Sequence, residues 1–147
     1  MFLDKRFHCF PALLILMLLS SCSSTKHSKA GVESAMTYYD NLILKLDADA
    51  ISRLYTEDGN LGNIAIGTDS IKKFLSSFKN VRVLSQYSVT KSISIVHDTA
   101  IQLGSYLQTD LVAGKDTIHV KGEYNAQWQW IPKKGWHIKH MITKSTN

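Results

Sequence analysis

The side chains in this sequence that could bind a metal or carry out catalysis are few and scattered. Four histidines in the second half of the chain are the candidate metal ligands: His97, His119, His137 and His140. The last two are three residues apart, so on a strand they point to opposite faces and cannot share one ion unless a bulge intervenes. No carboxylate lies two residues from any of the four. We therefore expect no metal site and no other cofactor.

Covalent and phosphate chemistry have no sequence signature either. Serine is abundant, but no G-x-S-x-G elbow is present. The glycines Gly104, Gly114 and Gly122 fall on predicted strands or turns rather than before a helix, so we expect no phosphate-binding loop. Glu57 and Asp58 are the first candidates for an acid or base, yet they fall at a predicted helix end, where exposed carboxylates are ordinary. The sequence predicts no catalytic residue and favours a protein that is not an enzyme.

The N-terminus predicts export and lipid attachment. A charged start at Asp4-Lys5-Arg6 precedes an apolar run over residues 10–19, which has the length of a signal-peptide core and is short for a bilayer span. Leu19-Ser20-Ser21-Cys22 follows and is similar to a bacterial lipobox. This resemblance implies cleavage before Cys22 and acylation of its sulfur, whereas the alternative is an ordinary secretory signal. We expect a lipid-anchored protein of the cell envelope, facing the periplasm or the exterior.

The residues that follow the signal peptide and the net charge of the chain are consistent with this location in the cell envelope. Residues 22–31 are rich in Ser and Lys and are predicted to form a flexible tether, so we place the globular domain at residues 32–147. Cys9 leaves with residues 1–21, and no other cysteine than Cys22 remains to form a disulfide. The net charge of +5 is spread over isolated bases rather than clustered. We therefore expect no nucleic-acid partner.

Hydrophobic periodicity predicts three helices early in the mature chain. The first covers Val32 to Leu46, with an apolar face at the 3.6-residue period. Asp47 is a predicted N-cap for a second, shorter helix that ends at Glu57 to Gly59. Residues 60–66 are a short strand or extended loop, and the third helix opens at residues 67–70.

From Val81 onward the period is two, which is typical of strands. A long first strand has one row made of Val81, Val83, Tyr87, Val89, Ile93 and Ile95, with a bend near Ser85 or Ser88. After a turn at His97-Asp98, Ile101, Leu103 and Leu107 oppose Gln102, Tyr106 and Gln108. Residues 111–116 form the next turn, and residues 132–135 the last.

The strand around Trp128 is the clearest of all. Val120, Gly122, Tyr124, Ala126, Trp128 and Trp130 share one face, and charged or amide residues share the other. Trp128 and Trp130 of this strand and Trp136 of the next are either core or the lining of an aromatic ligand site, and core is favoured. Helices first and strands last predict an α+β fold in the order α-α-β-α-β-β-β-β, with a strongly curved antiparallel sheet around the N-terminal helices.

The arrangement resembles the nuclear transport factor 2-like superfamily, which includes ketosteroid isomerase and SnoaL-like cyclases. The resembling residues are Tyr39-x15-Tyr55-Thr-Glu-Asp-Gly, Gly67-Thr-Asp-Ser-Ile-Lys-Lys-Phe, Asp98-Thr-Ala100, Gly104-x-Tyr106, Gly122-x-Tyr-x-Ala-x-Trp128 and Trp136-x-Ile138. The resemblance implies a cone-shaped fold in which the sheet wraps the first helix and leaves a pocket at the wide end. It specifies the fold and no activity.

The same resemblance identifies candidate site residues. Tyr39 falls at the position of the isomerase's oxyanion tyrosine, Asn63 at its general base, and Ala126 near its second acid. An amide cannot take a proton and alanine cannot donate a hydrogen bond, so steroid isomerisation by that route is not expected. Tyr39 is either a polar group in the pocket or a core tyrosine, and Asn63 either faces the pocket or belongs to a turn. Tyr124 and Trp128 complete the candidate pocket, which we expect to lack proton-transfer groups.

Three functions remain open from the sequence. The first is a non-enzymatic, membrane-anchored module that binds a small apolar ligand in the cone, or forms a homodimer through the sheet face. The second is a SnoaL-like isomerase, cyclase or hydrolase, for which a carboxylate or histidine beside Tyr39 would be needed. The third is an envelope protein that docks on a partner through the predicted outer polar row of the sheet: Gln102, Gln108, Lys121, Glu123, Gln127 and Gln129.

Overall fold

The computed structural model describes residues 27–146. Its three helices are α1 (Lys29–Lys45), α2 (Ala48–Leu54) and α3 (Thr68–Leu75). Its strands are β1 (Tyr55–Leu61), β2 (Ala65–Ile66), β3 (Val81–Val96), β4 (Thr99–Val112), β5 (Asp116–Ile131) and β6 (Gly135–Ser145). This confirms the α+β class, with one more short strand than predicted. The predicted signal peptide and Cys22 lie outside the described residues, among which no helix has both the length and the apolar character of a membrane span.

The six strands form one curved sheet in the order β2-β1-β6-β5-β4-β3. The four long strands pair antiparallel, as predicted, whereas β1 pairs parallel with β6. The sheet is therefore mixed rather than purely antiparallel. Because β1 begins directly after α2, Glu57 and Asp58 lie on a strand and not at a helix end. Pairing with the edge of β6 outweighs the local signals that predict a turn there.

The first helix begins earlier than predicted. Ser28 is its N-cap and accepts a hydrogen bond from Gly31 N at 3.1 Å, so residues 29–31 are helical rather than part of a tether. The helix ends at Lys45, and its C-cap Leu46 has a left-handed conformation with φ of 49°. Asp47 then caps α2 by accepting from Ala50 N at 2.9 Å, as the sequence predicts.

The core lies between the helices and the inner face of the sheet. From α1 it takes Val32, Met36 and Leu42, and the inner row of β5 contributes Tyr124, Ala126 and Trp128. Trp128 is fully buried and Trp136 nearly so, while Trp130 packs against this cluster. The predicted inner face of β5 is therefore the buried one, and the tryptophans are core.

Two bulges in β3 change which of its residues face inward. The register against β4 shifts between Val83 and Ser85 and again between Thr90 and Ser92. A bulge inserts one residue and reverses the alternation beyond it. Tyr87 and Val89, predicted to share a row with Val83, are exposed on the outer face at 63% and 44%. Gln86, Ser88 and Thr90 take the more buried positions instead.

The alternation in β4 also differs from the prediction. Gln102 is fully buried, whereas Ile101, Leu103 and Leu107 are exposed by 37–57%. Gln102 and Gln108 therefore do not belong to the outer row in which the sequence places them. Gln102 can be buried because both ends of its amide are hydrogen-bonded, to Trp128 and Thr90. The outer face is correspondingly more apolar than predicted.

Candidate functional site: a cavity lined by tyrosines

A cavity of about 330 Å³ lies between α1, α3 and the inner face of the sheet. Its wall is mostly apolar and includes Met36, Ile43, Leu61, Phe74, Phe78, Val83, Val112, Val120 and Met141. The polar groups are Tyr39, Gln86, Ser88, Tyr106, Gln108, Asp110, Tyr124 and Thr143. Small-molecule sites commonly combine a volume of this order with apolar walls and a few polar groups.

Two of the tyrosines are positioned by glycines on the neighbouring strand. Tyr124 on β5 is paired with Gly104 on β4, and Tyr106 on β4 is paired with Gly122 on β5. A Cβ atom on Gly104 would come within 2.5 Å of Tyr124 Cζ, and one on Gly122 within 2.7 Å of Tyr106 Cε1. Each ring therefore occupies the space above its partner glycine. The tyrosine is on β5 in the first pair and on β4 in the second, so tyrosine rings cover both strands in this part of the sheet.

The third tyrosine of the lining belongs to the helix. Tyr39 projects from α1, and burial raises its pKa to about 12. Burial also raises the pKa of Tyr55, the neighbour that interacts with the Tyr39 hydroxyl. Tyr55 Oη nevertheless has no partner in acceptable hydrogen-bond geometry among the described residues. Both phenols are neutral over the physiological pH range, so they act as hydrogen-bonding groups and not as bases.

A carboxylate on α1 orders the β3 side of the cavity. Asp40 Oδ1 accepts from Gln86 Nε2 at 3.0 Å and from Ser88 Oγ at 2.7 Å, and Asp40 Oδ2 accepts from Ser88 N at 2.9 Å. These hydrogen bonds join the helix to the edge strand of the sheet. Because the acceptor is charged, they are stronger than bonds between neutral groups. Asp40 thereby fixes the side chains of Gln86 and Ser88, which line the cavity.

A series of buried side-chain hydrogen bonds connects the core to the cavity. Trp128 Nε1 donates to Gln102 Oε1 at 3.0 Å, and Gln102 Nε2 donates to Thr90 Oγ1 at 2.8 Å. Thr90 lies beside the hydroxyl of Tyr124 and lowers the pKa of that phenol, although burial has the larger effect and raises it. Even so, Tyr124 Oη has no well-formed hydrogen bond among the described residues.

A carboxylate also lines the cavity itself. Asp110 lies near the β4–β5 turn and accepts from Gln108 Nε2 at 2.9 Å through each of its oxygens. The sequence predicts a hollow without proton-transfer groups, and Asp110 shows that this is wrong. Neither the amide of Gln108 nor the tyrosines neutralise its charge. Among the described residues, Asp110 is therefore the one carboxylate of the cavity lining, in the part of the sheet farthest from the β3–β4 turn.

Of the five predicted pocket residues, two line the cavity and three do not. Tyr39 and Tyr124 line the cavity, while Ala126 and Trp128 are fully buried in the core and do not. Asn63 lies outside it, exposed in the turn between β1 and β2 with φ of 60°. Its backbone N–H donates to Asn60 Oδ1 at 2.8 Å, and its side-chain oxygen accepts from Asn60 Nδ2 at 3.0 Å. Asn63 is thus a turn residue, as one of the two sequence interpretations holds.

The carboxylates suspected from sequence do not reach the cavity. Glu57 and Asp58 are both exposed. Asp58 pairs with Lys139 and accepts from Thr56 Oγ1 at 3.0 Å. The hydrogen bond from Lys139 is the main reason why the pKa of Asp58 lies below its usual value. Asp58 is therefore an ionised surface group and not a proton donor.

A bulge also changes the histidine geometry. The register between β5 and β6 shifts between Gln127 and Trp128, so that His140 pairs with Gln127 and His137 with Gln129. Both glutamines belong to the outer row of β5, which places the two histidines on one face rather than on opposite faces. Within residues 27–146, however, no group of three or more potential metal ligands is found.

Four polar residues in or directly behind the cavity wall are not among the site residues predicted from the sequence. They are Asp40, Gln86, Asp110 and Ser88, of which only Ser88 is named from the sequence, as a possible bend, because a polar residue on a helix or strand is usually exposed. The signal that could have found Gln86 and Ser88 is Ser85, which interrupts the row of apolar residues predicted for β3. A break in the apolar alternation of an otherwise buried strand is a marker for a bulge or a polar site.

Comparison with known proteins supports the fold. No protein-family model and no curated protein sequence matches this chain. A ketosteroid isomerase-like protein from Erwinia carotovora atroseptica has a similar structure, with a TM-score of 0.71 and 17% identity, covering 85% of this chain and 98% of that one. A nuclear transport factor 2-like superfamily protein from Salmonella enterica serovar Typhimurium has a TM-score of 0.66 and 15% identity, covering 80% and 90%.

A third similar structure is an NTF2-like protein with a cystatin-like fold from Novosphingobium aromaticivorans. It has a TM-score of 0.65 and 16% identity, covering 80% of this chain and 81% of that one. Identities this low establish the fold, which the superfamily resemblance implies, and establish no activity.

Proposed function

We propose that this chain is a lipid-anchored envelope protein whose domain binds a small, mainly apolar ligand in the cavity. The observation that carries this function is the cavity of about 330 Å³, with apolar walls and the side chains of Tyr39, Tyr106 and Tyr124. A ligand entering it would remove part of these walls from contact with water. Covering apolar walls in this way favours binding.

A direct test is binding of naphthalene to the mature chain. The buried core lies within residues 27–146, so residues 22–147 with Cys22→Ser retain the whole domain. We expect saturable binding, measured by titration calorimetry, that Met36→Trp abolishes by filling the cavity. Tyr38→Trp is the matched control, because Tyr38 is on the same helix but 54% exposed. Equal binding by both variants would exclude the cavity as the site.

The anchor is the second part of the proposal. The motif Leu19-Ser20-Ser21-Cys22 supports it, and protein extracted from membranes should begin at Cys22 and carry acyl chains, as read by intact mass. Cys22→Ser should abolish incorporation of labelled palmitate. An unmodified chain that begins at another residue would contradict the anchor.

The contacts of His27 support a particular orientation on the membrane. His27 pairs with Asp98 at 2.7 Å and packs edge-on against Trp130 and Trp136, at centroid distances of 5.4 and 5.9 Å. His27 follows Cys22 by five residues, which span at most about 17 Å. We therefore expect the end of the sheet that carries the β3–β4 and β5–β6 turns to lie near the bilayer.

The cavity lies toward the opposite end of the same strands. From Thr99 to Asp110, β4 extends roughly 36 Å at about 3.3 Å per residue. A fluorophore on Lys133→Cys should be quenched by nitroxide lipids more strongly than one on Ala113→Cys. The two turn positions are matched, since both have positive φ. Stronger quenching at residue 113 would reverse the proposed orientation.

The outer sheet face supports a homodimer as a second proposal. Tyr87 and Leu107 are adjacent across β3 and β4 and are 63% and 57% exposed, and Val89, two residues from Tyr87 on the same face of β3, is 44% exposed. Adjacent exposed apolar residues of this size are typical of interaction surfaces. We expect a dimer by sedimentation that Leu107→Glu dissociates, whereas Lys73→Glu, at an exposed position on α3 away from the sheet face, serves as the charge control. A monomer at all concentrations would exclude it.

The enzymatic alternative is a SnoaL-like isomerase, cyclase or hydrolase, and Asp110 is the observation that favours it. Asp110 is the carboxylate that lines the same cavity as Tyr39. As a general base it would need to be ionised and within reach of a substrate proton. Asp110→Asn would then abolish turnover of any substrate found while leaving its binding intact. Loss of binding alone would instead indicate a binding role.

A further inference from the structure

Two buried polar atoms on the cavity wall lack a partner among the described residues: Gln86 Oε1 and Tyr124 Oη. Buried polar atoms are hydrogen-bonded in most proteins, and each exception needs an explanation. Tyr124 is only 5% exposed, so bulk solvent does not supply the missing bond. Because both residues line the same cavity, one occupant could satisfy both atoms.

The orientation of the Gln86 amide is set by the protein. Its Nε2 donates to Asp40 Oδ1 at 3.0 Å, and a carboxylate can only accept such a bond. The amide therefore cannot turn over without facing its oxygen to the carboxylate. Its Oε1 is left as a fixed acceptor. An occupant that satisfies it must donate a hydrogen bond.

The hydroxyl of Tyr124 is equally fixed in place. Its ring lies above Gly104, and the neighbouring Thr90 Oγ1 already accepts from Gln102 Nε2. Among residues 27–146 the phenol makes no well-formed hydrogen bond, so it can donate its proton or accept through its oxygen. An occupant with an oxygen atom can therefore bond to it. A hydroxyl group is the simplest group that can donate to Gln86 and accept from Tyr124.

Charge limits the class of occupant further. The lining contains Asp110 and, among residues 27–146, no Lys, Arg or His. Asp40 lies directly behind Gln86, so two carboxylates act on the same space. A carboxylate ligand would enter without a cation to pair with, which is costly in a low-dielectric site. Anionic ligands are therefore disfavoured.

We propose that the cavity selects an uncharged, mainly apolar ligand with a hydroxyl group, held between Gln86 and Tyr124. This inference rests on the proposed ligand-binding function and adds the chemical class of the ligand. Asp40 is a positioning residue in it, because it acts only by orienting Gln86.

The test compares three bicyclic compounds of the same size: naphthalene, 2-naphthol and 2-naphthoate. With residues 22–147 carrying Cys22→Ser at pH 7, we expect 2-naphthol to bind about tenfold tighter than either of the others. Equal affinity for 2-naphthol and naphthalene would overturn this inference while leaving the ligand-binding function in place. No binding of any of the three would overturn both.

Single substitutions then assign the preference to the two atoms. Tyr124→Phe and Gln86→Leu should each remove most of the preference for 2-naphthol and change naphthalene affinity by less than about twofold. Tyr87→Phe is the matched control, since it removes a tyrosine hydroxyl from the outer face. Retention of the full preference in Tyr124→Phe would overturn the assignment.

A stability measurement separates this role from a structural one. The hydroxyl of Tyr124 has no well-formed hydrogen bond among the described residues, so its removal should leave the melting temperature of the free protein unchanged or higher. A hydroxyl that is needed for folding would lower it instead. Higher stability together with lost selectivity is the signature of a binding group, and lower stability in Tyr124→Phe would count against the proposal.

Discussion

Tyr124 occupies the space that a side chain at Gly104 would need. The two residues are direct partners across β4 and β5, and a Cβ on Gly104 would lie 2.5 Å from Tyr124 Oη and 2.2 Å from Val89 O. The same relationship holds in reverse between Tyr106 and Gly122. Glycine at these positions lets the tyrosine rings lie against the sheet, and this leaves the space above them for the cavity.

Gly104→Ala should therefore destabilise the domain. The added methyl meets the backbone oxygen of Val89, which cannot move aside as the end of a side chain can, so we expect a loss of about 3 kcal/mol. Urea unfolding of residues 22–147 is the measurement. Ser105→Ala, at the next position of β4, is the control and should change stability by less than about 0.5 kcal/mol. A wild-type midpoint for Gly104→Ala would show that the sheet relaxes at this point.

Asp40→Ala tests the connection between α1 and β3. The substitution removes three charge-assisted hydrogen bonds, and we expect a loss of about 2–3 kcal/mol in the free energy of unfolding. Hydrogen exchange should also be faster at Ser88 N, which loses its acceptor. Glu33→Ala removes an exposed carboxylate from the same helix and is expected to be near neutral. Unchanged exchange at Ser88 would contradict the role of Asp40.

Gln102→Ala tests the polar chain that supports Tyr124. Truncation leaves Trp128 Nε1 without an acceptor in the fully buried core and opens a space there, so we expect a loss of about 3 kcal/mol. Gln127→Ala, on the outer row of the next strand, should cost much less. Indole fluorescence and urea unfolding would follow both. Similar losses in the two variants would mean that the buried hydrogen bonds contribute little.

Alkaline pH should unfold the domain through Tyr39 and Tyr55. Burial raises the pKa of Tyr39 from 10.0 to about 12 and also raises that of Tyr55, so the folded state favours the neutral phenols. Their contribution to stability is complete below pH 10.0, the unfolded value, and is lost as the pH rises toward and beyond 12. Tyr39→Phe should shift the alkaline midpoint, measured by circular dichroism, to higher pH. Tyr38→Phe, the exposed neighbour, should leave the midpoint unchanged, and equal shifts would exclude burial as the cause.

The elements predicted best are those whose own residues repeat a clear pattern. The apolar stripe of α1, the cap at Asp47 and the inner row of β5 are all present in the structure. The strand turns at His97 and Lys133 also fall where predicted, in both cases with a residue of positive φ. Local periodicity and turn chemistry suffice for these features, since each depends on residues close in sequence.

The candidate site could be predicted only in part. Tyr39 and Tyr124 follow from the superfamily resemblance and line the cavity, whereas Asn63 lies in an exposed turn. The wall formed by Gln86, Ser88 and Asp110 depends on contacts between elements far apart in the chain. Asp40 and Ser88 are 48 residues apart, and no local pattern joins them.

The sequence by itself determined the α+β class, the order of helices before long antiparallel strands, and which face of β5 is buried. Only the tertiary structure decided that β1 runs parallel to β6, that bulges turn Tyr87 outward and His137 and His140 to one side, and that Gln102 is buried while Leu107 is exposed. The physical reason is that a two-residue period shows that successive side chains lie on opposite faces of a strand, but not which face is buried. In β3 and β4 the buried face depends on bulges and on whether a distant partner satisfies each buried polar group.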